Sequence, residues 1–144
     1  MVVKKHSILA LVIGASSFIS VAPASAGPVE TRIEEMEKVG RALKALNLRT
    51  RSQQVSAQQA KQAVALIKAV ALNTPALFEV QDMSGASEAK PEIWTNWDDF
   101  VAQSQELAAY TDNLDQAVND QDRLAAEIKK IGEICSACHR KYRE

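Results

Sequence analysis

Cysteine, histidine, glycine, proline and aromatic residues are all scarce in this sequence, and each shortage excludes something. Two cysteines among 144 residues cannot build a disulfide scaffold. Five glycines, four prolines and 5% aromatics, set against abundant Ala, Leu, Glu, Lys and Gln, argue against a β sandwich or barrel and for helix. The formal charge of −1, from 17 basic and 18 acidic residues, lacks the basic excess of a nucleic-acid binder. Although 47% of residues are hydrophobic, the apolar run Ile8 to Val21 is only 14 residues long, short of the ~20 that span a bilayer. No membrane span is therefore expected in the mature protein.

That apolar run is preceded by Lys4, Lys5 and His6 and followed by Ala24-Ser25-Ala26. A basic, then apolar, then small-x-small order is a secretory signal, so residues 1–26 read as a leader and 27–144 as the exported, periplasmic domain. About 118 residues then remain, enough for one domain and one core. Losing Lys4 and Lys5 leaves 15 basic and 18 acidic residues, a formal −3, and losing His6 leaves a single histidine.

Four stretches carry helical periodicity. The first has Val29, Ile33, Met36, Gly40, Leu43 and Leu46 on one stripe, with Pro28 at its start. The second, about Ser56 to Asn73, has Ala60, Val64, Ile67 and Ala71; Ser56 with Gln59 forms a capping box and Pro75 is expected to end it. The third begins near Asn96, where Asn96 and Asp99 resemble a cap pair, and carries Phe100, Ser104, Leu107, Thr111, Leu114 and Val118. The fourth, capped by Asp120, carries Leu124, Ile128, Ile131, Cys135, Cys138 and Tyr142, spaced alternately by four and three. Short connections make helices three and four antiparallel neighbours, and the whole reads as an all-α, antiparallel four-helix bundle. A connection of roughly 22 residues, Thr74 to Thr95, separates helices two and three; with Leu77, Phe78, Pro91, Ile93 and Trp94 in it, it is expected to pack.

Cys135-Ser136-Ala137-Cys138-His139 is C-x-x-C-H, the attachment signature of c-type haem. Thiols three residues apart on a helix face the same way and can each form a thioether to one porphyrin, while His139 rises on that face to ligate iron. Competing chemistries fit less well. A structural zinc site needs four ligands, and the mature chain has two cysteines and one histidine. A thioredoxin-like pair wants a βαβ context, and a disulfide across three helical residues is strained. With one histidine left, a second axial ligand from within the chain is Met36 or Met83. Met83 lies in the long connection, whereas Met36 sits mid-helix with Gly40 one turn on; a methionine on an apolar stripe is otherwise ordinary core filler.

The leader, four helices and C-x-x-C-H close to the C-terminus together resemble the cytochrome c-prime family, the class II c-type cytochromes. The resemblance covers essentially the whole mature chain. It includes Arg32 followed four residues later by Met36, Leu77-Phe78, Lys90-Pro91-Glu92-Ile93-Trp94, and His139-Arg140-Lys141-Tyr142-Arg143. It implies a bundle enclosing one covalently attached haem c on Cys135 and Cys138, with His139 as proximal ligand. It also implies Arg32 at a haem propionate, Trp94 near the haem edge, Arg143 on the proximal side and position 36 as the distal residue. Members with methionine there are typically six-coordinate electron carriers; members with an aliphatic residue are five-coordinate and bind nitric oxide or carbon monoxide. Met36 thus points to an electron carrier rather than an enzyme, with gas binding as the alternative and a haem-free helical interaction protein as the third reading. Thr31 and Ile33 depart from the tyrosine and glutamine frequent beside the family's arginine. The redox partner is expected to be a protein, positively charged if the charge of −3 guides docking, and a homodimer through the first two helices is compatible with the sequence. Exported protein should begin at Gly27 by N-terminal sequencing; a chain still carrying Lys4 and Lys5 would refute the leader.

Overall fold

The computed structural model describes residues 27–52 and 54–144; the leader expected at 1–26 lies outside them. Helix α1 spans Pro28–Arg51, α2 Ala57–Leu77, the single turn α3 Glu92–Thr95, α4 Trp97–Ala117 and α5 Gln121–Tyr142. The four long helices have 24, 21, 21 and 22 residues, so each is on the order of 30–36 Å long. α1 packs on α2, α2 on α4, α4 on α5 and α5 back on α1, closing the four-helix bundle. Among the described residues no helix is long and apolar enough to cross a membrane.

The helix ends follow local chemistry. Pro28 opens α1, where a missing N–H costs nothing. The Ser56 hydroxyl accepts from the Gln59 amide at 3.2 Å while the Gln59 side chain accepts from the Ser56 amide at 2.9 Å, a complete capping box. The Asp120 carboxylate accepts from the Arg123 amide at 3.0 Å. Two expectations are corrected. α2 continues through Pro75 to Leu77; the proline forfeits one i→i−4 bond, and the end is held from outside, by Arg32 donating to the Leu77 carbonyl at 2.7 Å. Asn96 does precede α4, but its side chain makes no capping bond. The Asp99 carboxylate is engaged instead by Lys141, Tyr142 and Gln103.

The core falls into two clusters. Leu46, Ala60, Ile67, Leu114, Val118, Leu124 and Ile131 lie fully buried in the larger one. Phe78, Ile93, Phe100 and Tyr142 form the smaller, against which Leu77, Trp94, Trp97 and Cys138 pack. Its rings meet edge-on, Phe78 to Phe100 at 5.1 Å and Phe100 to Tyr142 at 5.3 Å. Thr111, fully buried within α4, donates to the Ala108 carbonyl at 2.6 Å, so its hydroxyl costs little there.

The connection between α2 and α4 packs as expected. Residues 78–91 run across the end of the bundle, turning at Gly85, whose φ of 60° suits a residue without a side chain. They then pair with the C-terminus. Ala89 and Arg143 form an antiparallel bridge, Lys90 donates to the Tyr142 carbonyl at 3.0 Å, and Glu144 donates to the Glu88 carbonyl at 2.9 Å.

The stripe expected to face inward on α1 holds at Val29, Leu43 and Leu46, but between them the buried positions fall one residue earlier. Arg32, Val39 and Ala42 are buried with Val29 and Leu46, while Ile33 and Met36 are 38% and 37% exposed and Gly40 is exposed. One residue of α-helix is a rotation of about 100°, so Ile33, Met36 and Gly40 lie on a face beside the covered one. Replacing Ile67, fully buried on α2, by alanine should cost about 2–5 kcal/mol in denaturant unfolding. Leu72→Ala, at a side chain 59% exposed, should stay within about 0.5 kcal/mol of the parent.

Candidate haem attachment site

The C-terminal half of α5 carries the motif between two inward anchors, Ile131 fully buried and Tyr142 nearly so. Anchoring on both sides fixes the roll of the helix and leaves Cys135 and Cys138 half-buried. Before any attachment, burial pushes both thiols up, Cys138 to about 11 with the neighbouring Cys135 adding to it. His139 is exposed on the next position. Partial burial and then the Arg143 charge hold its pKa below the usual value, against the opposing pull of Glu88. Near neutral pH its imidazole is therefore uncharged, the form that binds a metal.

On the facing helix α1, Ile33, Met36 and Gly40 make the uncovered apolar stripe. A Cβ built on Gly40 would meet nothing within 4 Å, and the same holds at Gly132 on α5, three residues before Cys135. Two thiols, a neutral imidazole and an uncovered apolar stripe with a soft thioether form a donor set that suits a thioether-linked porphyrin. A zinc site is less well served: among the described residues no three His, Cys, Asp or Glu side chains gather as a metal centre.

Arg32, one turn before Met36, is only 4% exposed. Its Nε donates to the Leu77 carbonyl at 2.7 Å, one terminal nitrogen to the Asp82 carbonyl at 2.7 Å and the other to the Val80 carbonyl. The guanidinium also lies 4.6 Å from the Phe78 ring centre and 5.8 Å from that of Trp94. Burial lowers its pKa, opposed by the charge of Asp82. Trp94 donates its indole N–H to the Phe78 carbonyl at 2.7 Å. Arg143 pairs with Glu88 across the terminal bridge. The structure thus brings Arg32 and Trp94 together at one end of the 78–91 segment, and Arg143 with His139 at the other. Met83 is 46% exposed in that segment.

Three residues of this region were not singled out as site residues. Glu88 pairs with Arg143 and lies within electrostatic reach of His139, and nothing in the sequence around it signals this. Asp99 accepts from Tyr142 and Lys141, tying α4 to α5 beside Cys138. Tyr142, a stripe position and part of the C-terminal motif, gives its hydroxyl proton to Asp99.

The sequence model of the cytochrome c′ family matches residues 27–143. The chain belongs to that family. Cytochrome c-556 of Agrobacterium tumefaciens (strain II Chrys) is 35% identical over 120 residues, 82% of this chain and 98% of that protein. The crystal structure of cytochrome c′ from Thermochromatium tepidum superposes with a TM-score of 0.70 at 24% identity, covering 83% of this chain and 98% of that one. The nitrosyl complex of a cytochrome c′ variant from Alcaligenes xylosoxidans superposes with a TM-score of 0.68 at 26% identity, covering 81% and 94%. The family's cofactor is haem c, covalently attached, and Cys135 and Cys138 are present to hold it.

Both tyrosines of this cytochrome have raised pKa values. Tyr110 is pushed up to about 12 by burial and then by Glu127, which accepts its hydroxyl; Tyr142 is pushed higher by burial and by Asp99. A group with a raised folded pKa contributes stability below its unfolded value, about 10 for tyrosine, and loses it as pH rises through the folded value. Spectrophotometric titration of the folded protein should therefore show little tyrosinate near pH 10, with both tyrosines appearing there once guanidinium unfolds the chain. Substantial ionisation near pH 10 without unfolding would refute these environments.

Proposed function

We propose that this cytochrome c′ family member carries single electrons in the periplasm, with haem c attached through Cys135 and Cys138 and its iron held by His139 and Met36. Bound haem c supplies an iron that alternates between Fe(III) and Fe(II). The two cysteines hold the macrocycle by thioether bonds, so it cannot dissociate in either state. His139 offers a neutral imidazole from α5, and Met36 a soft thioether from α1, which favours Fe(II) and raises the potential relative to a harder ligand. His139 and Met36 belong to different helices of one packed bundle, α5 and α1, and that packing would hold both side chains in place as ligands. Arg32 keeps two N–H groups beyond those given to carbonyls, and these are what it has for a propionate. Trp94 closes the same end of the bundle, and Arg143 places a positive charge on the His139 side. The periplasmic assignment rests on Lys4, Lys5, the Ile8–Val21 run and Ala24-Ser25-Ala26.

The observation that carries this reading is Met36 itself: a mid-helix thioether on the uncovered stripe of α1, 37% exposed where the neighbouring stripe is buried. The second reading, binding of nitric oxide or carbon monoxide, is favoured by the structural likeness to a nitrosyl complex and by a thioether that core packing does not confine. The visible spectrum of the oxidised holoprotein separates the two. A low-spin spectrum with a sulfur-to-iron charge-transfer band, converted to high-spin by Met36→Leu with gain of carbon monoxide binding to the reduced form, is the expected result. A high-spin parent spectrum unchanged by Met36→Leu would overturn Met36 ligation and favour the gas-binding reading.

A further inference from the structure

A buried charge normally requires a counter-ion or several hydrogen bonds from its surroundings. Arg32 has the second. Its three nitrogens reach three main-chain carbonyls, at Leu77, Val80 and Asp82, while the Asp82 carboxylate accepts from the Ser84 amide at 2.9 Å. Leu77 is the last residue of α2, so the guanidinium caps the negative end of that helix dipole as it seizes the first turn of the connection. Phe78 and Trp94 flank the same fork, and the indole bond to the Phe78 carbonyl fixes the second ring.

The far end of the connection is tied to α5. Residues 88–90 pair with 142–144 through the Ala89–Arg143 bridge and two amide bonds, beginning three residues after His139. The 78–91 segment is therefore a strap, fastened at one end one turn from Met36 and at the other just beyond His139. Methionine has a flexible side chain, so where its thioether can reach depends on where the backbone of its turn is held.

We propose that Arg32 is a positioning residue: through its fork on the Leu77, Val80 and Asp82 carbonyls it fixes the turn of α1 that presents Met36, and it does so by geometry rather than by charge alone. This rests on the His139/Met36 reading above. A lysine keeps the charge, but its compact ammonium cannot hold three carbonyls spread around a planar guanidinium. Arg32→Lys thus separates a clamp from a simple charge partner for a carboxylate.

The test compares parent holoprotein with Arg32→Lys, Arg32→Gln and Trp94→Phe. It reads amide hydrogen exchange across 78–90 by mass spectrometry and the low-spin fraction of the oxidised spectrum. Arg32→Lys and Arg32→Gln should both speed exchange by about tenfold or more, the scale of losing charge-assisted hydrogen bonds, and both should lower the low-spin fraction. Trp94→Phe, which leaves the charge in place, should move both readouts the same way by less and keeps the test available if Arg32→Gln does not fold. Parent-like exchange and spectrum in Arg32→Lys, with changes only in Arg32→Gln, would overturn the clamp in favour of charge. Unchanged exchange in both arginine variants would overturn it outright. A high-spin parent overturns the positioning of an iron ligand, while the exchange readout still decides whether the fork holds the strap.

Discussion

A helix can bury only part of its circumference, and in α1 that allotment goes to Val29, Arg32, Val39, Ala42 and Leu46. Much of the candidate site follows from this choice. It turns Ile33, Met36 and Gly40 away from the covered seam. It also carries a guanidinium into the end of the bundle, where its charge has to be matched. Had α1 rolled by one residue, Met36 would be ordinary core and Arg32 a solvated surface side chain. The roll is set by both ends of the helix: Leu46 is sealed into the larger cluster, and Arg32 is held by the carbonyls of the connection.

The aromatic end of the bundle shows how a segment with little regular structure becomes rigid. Residues 78–91 cannot satisfy their polar groups through a helix ladder, so these are met by side chains and by the C-terminus. Arg32 takes carbonyls at 77, 80 and 82, the Trp94 indole takes the one at Phe78, and across the terminal bridge the Tyr142 carbonyl accepts from the Lys90 amide and the Glu88 carbonyl from the Glu144 amide. Phe78, Ile93, Phe100 and Tyr142 supply the apolar burial that makes this ordering worthwhile. Cys138 packs against the same cluster, so the sulfur nearest His139 in sequence is seated on this aromatic end. Asp99, read from the sequence as a cap, proves to be a cross-helix acceptor because Tyr142 and Lys141 approach it from α5.

The readings that survived depend on neighbours in sequence. The Ser56–Gln59 box, the Asp120 cap and the stripes of α2, α4 and α5 are local matters of spacing and hydrogen-bond reach, and the structure reproduces them. The readings that shifted depend on partners far along the chain. Pro75 sits two residues before the end of α2 because Arg32, more than forty residues earlier, holds that end. The middle of the α1 stripe moved by one position because periodicity alone does not show that Arg32 will be buried against distant carbonyls while Ile33 and Met36 stay exposed. Glu88 carried no signal, since an isolated acid in a loop looks the same whether or not an arginine will be folded against it.

By itself, the sequence determined the four long helices, their antiparallel order, and that Cys135, Cys138 and His139 lie together on one helix, because residues three and four apart on a helix share a face whatever the rest of the chain does. Only the tertiary structure decided which stripe of α1 is buried, where the Arg32 charge is spent, and how the 78–91 segment joins α1 to the end of α5. Those outcomes depend on long-range closure, in which groups tens of residues apart compete to satisfy one another, and no local pattern records the winner.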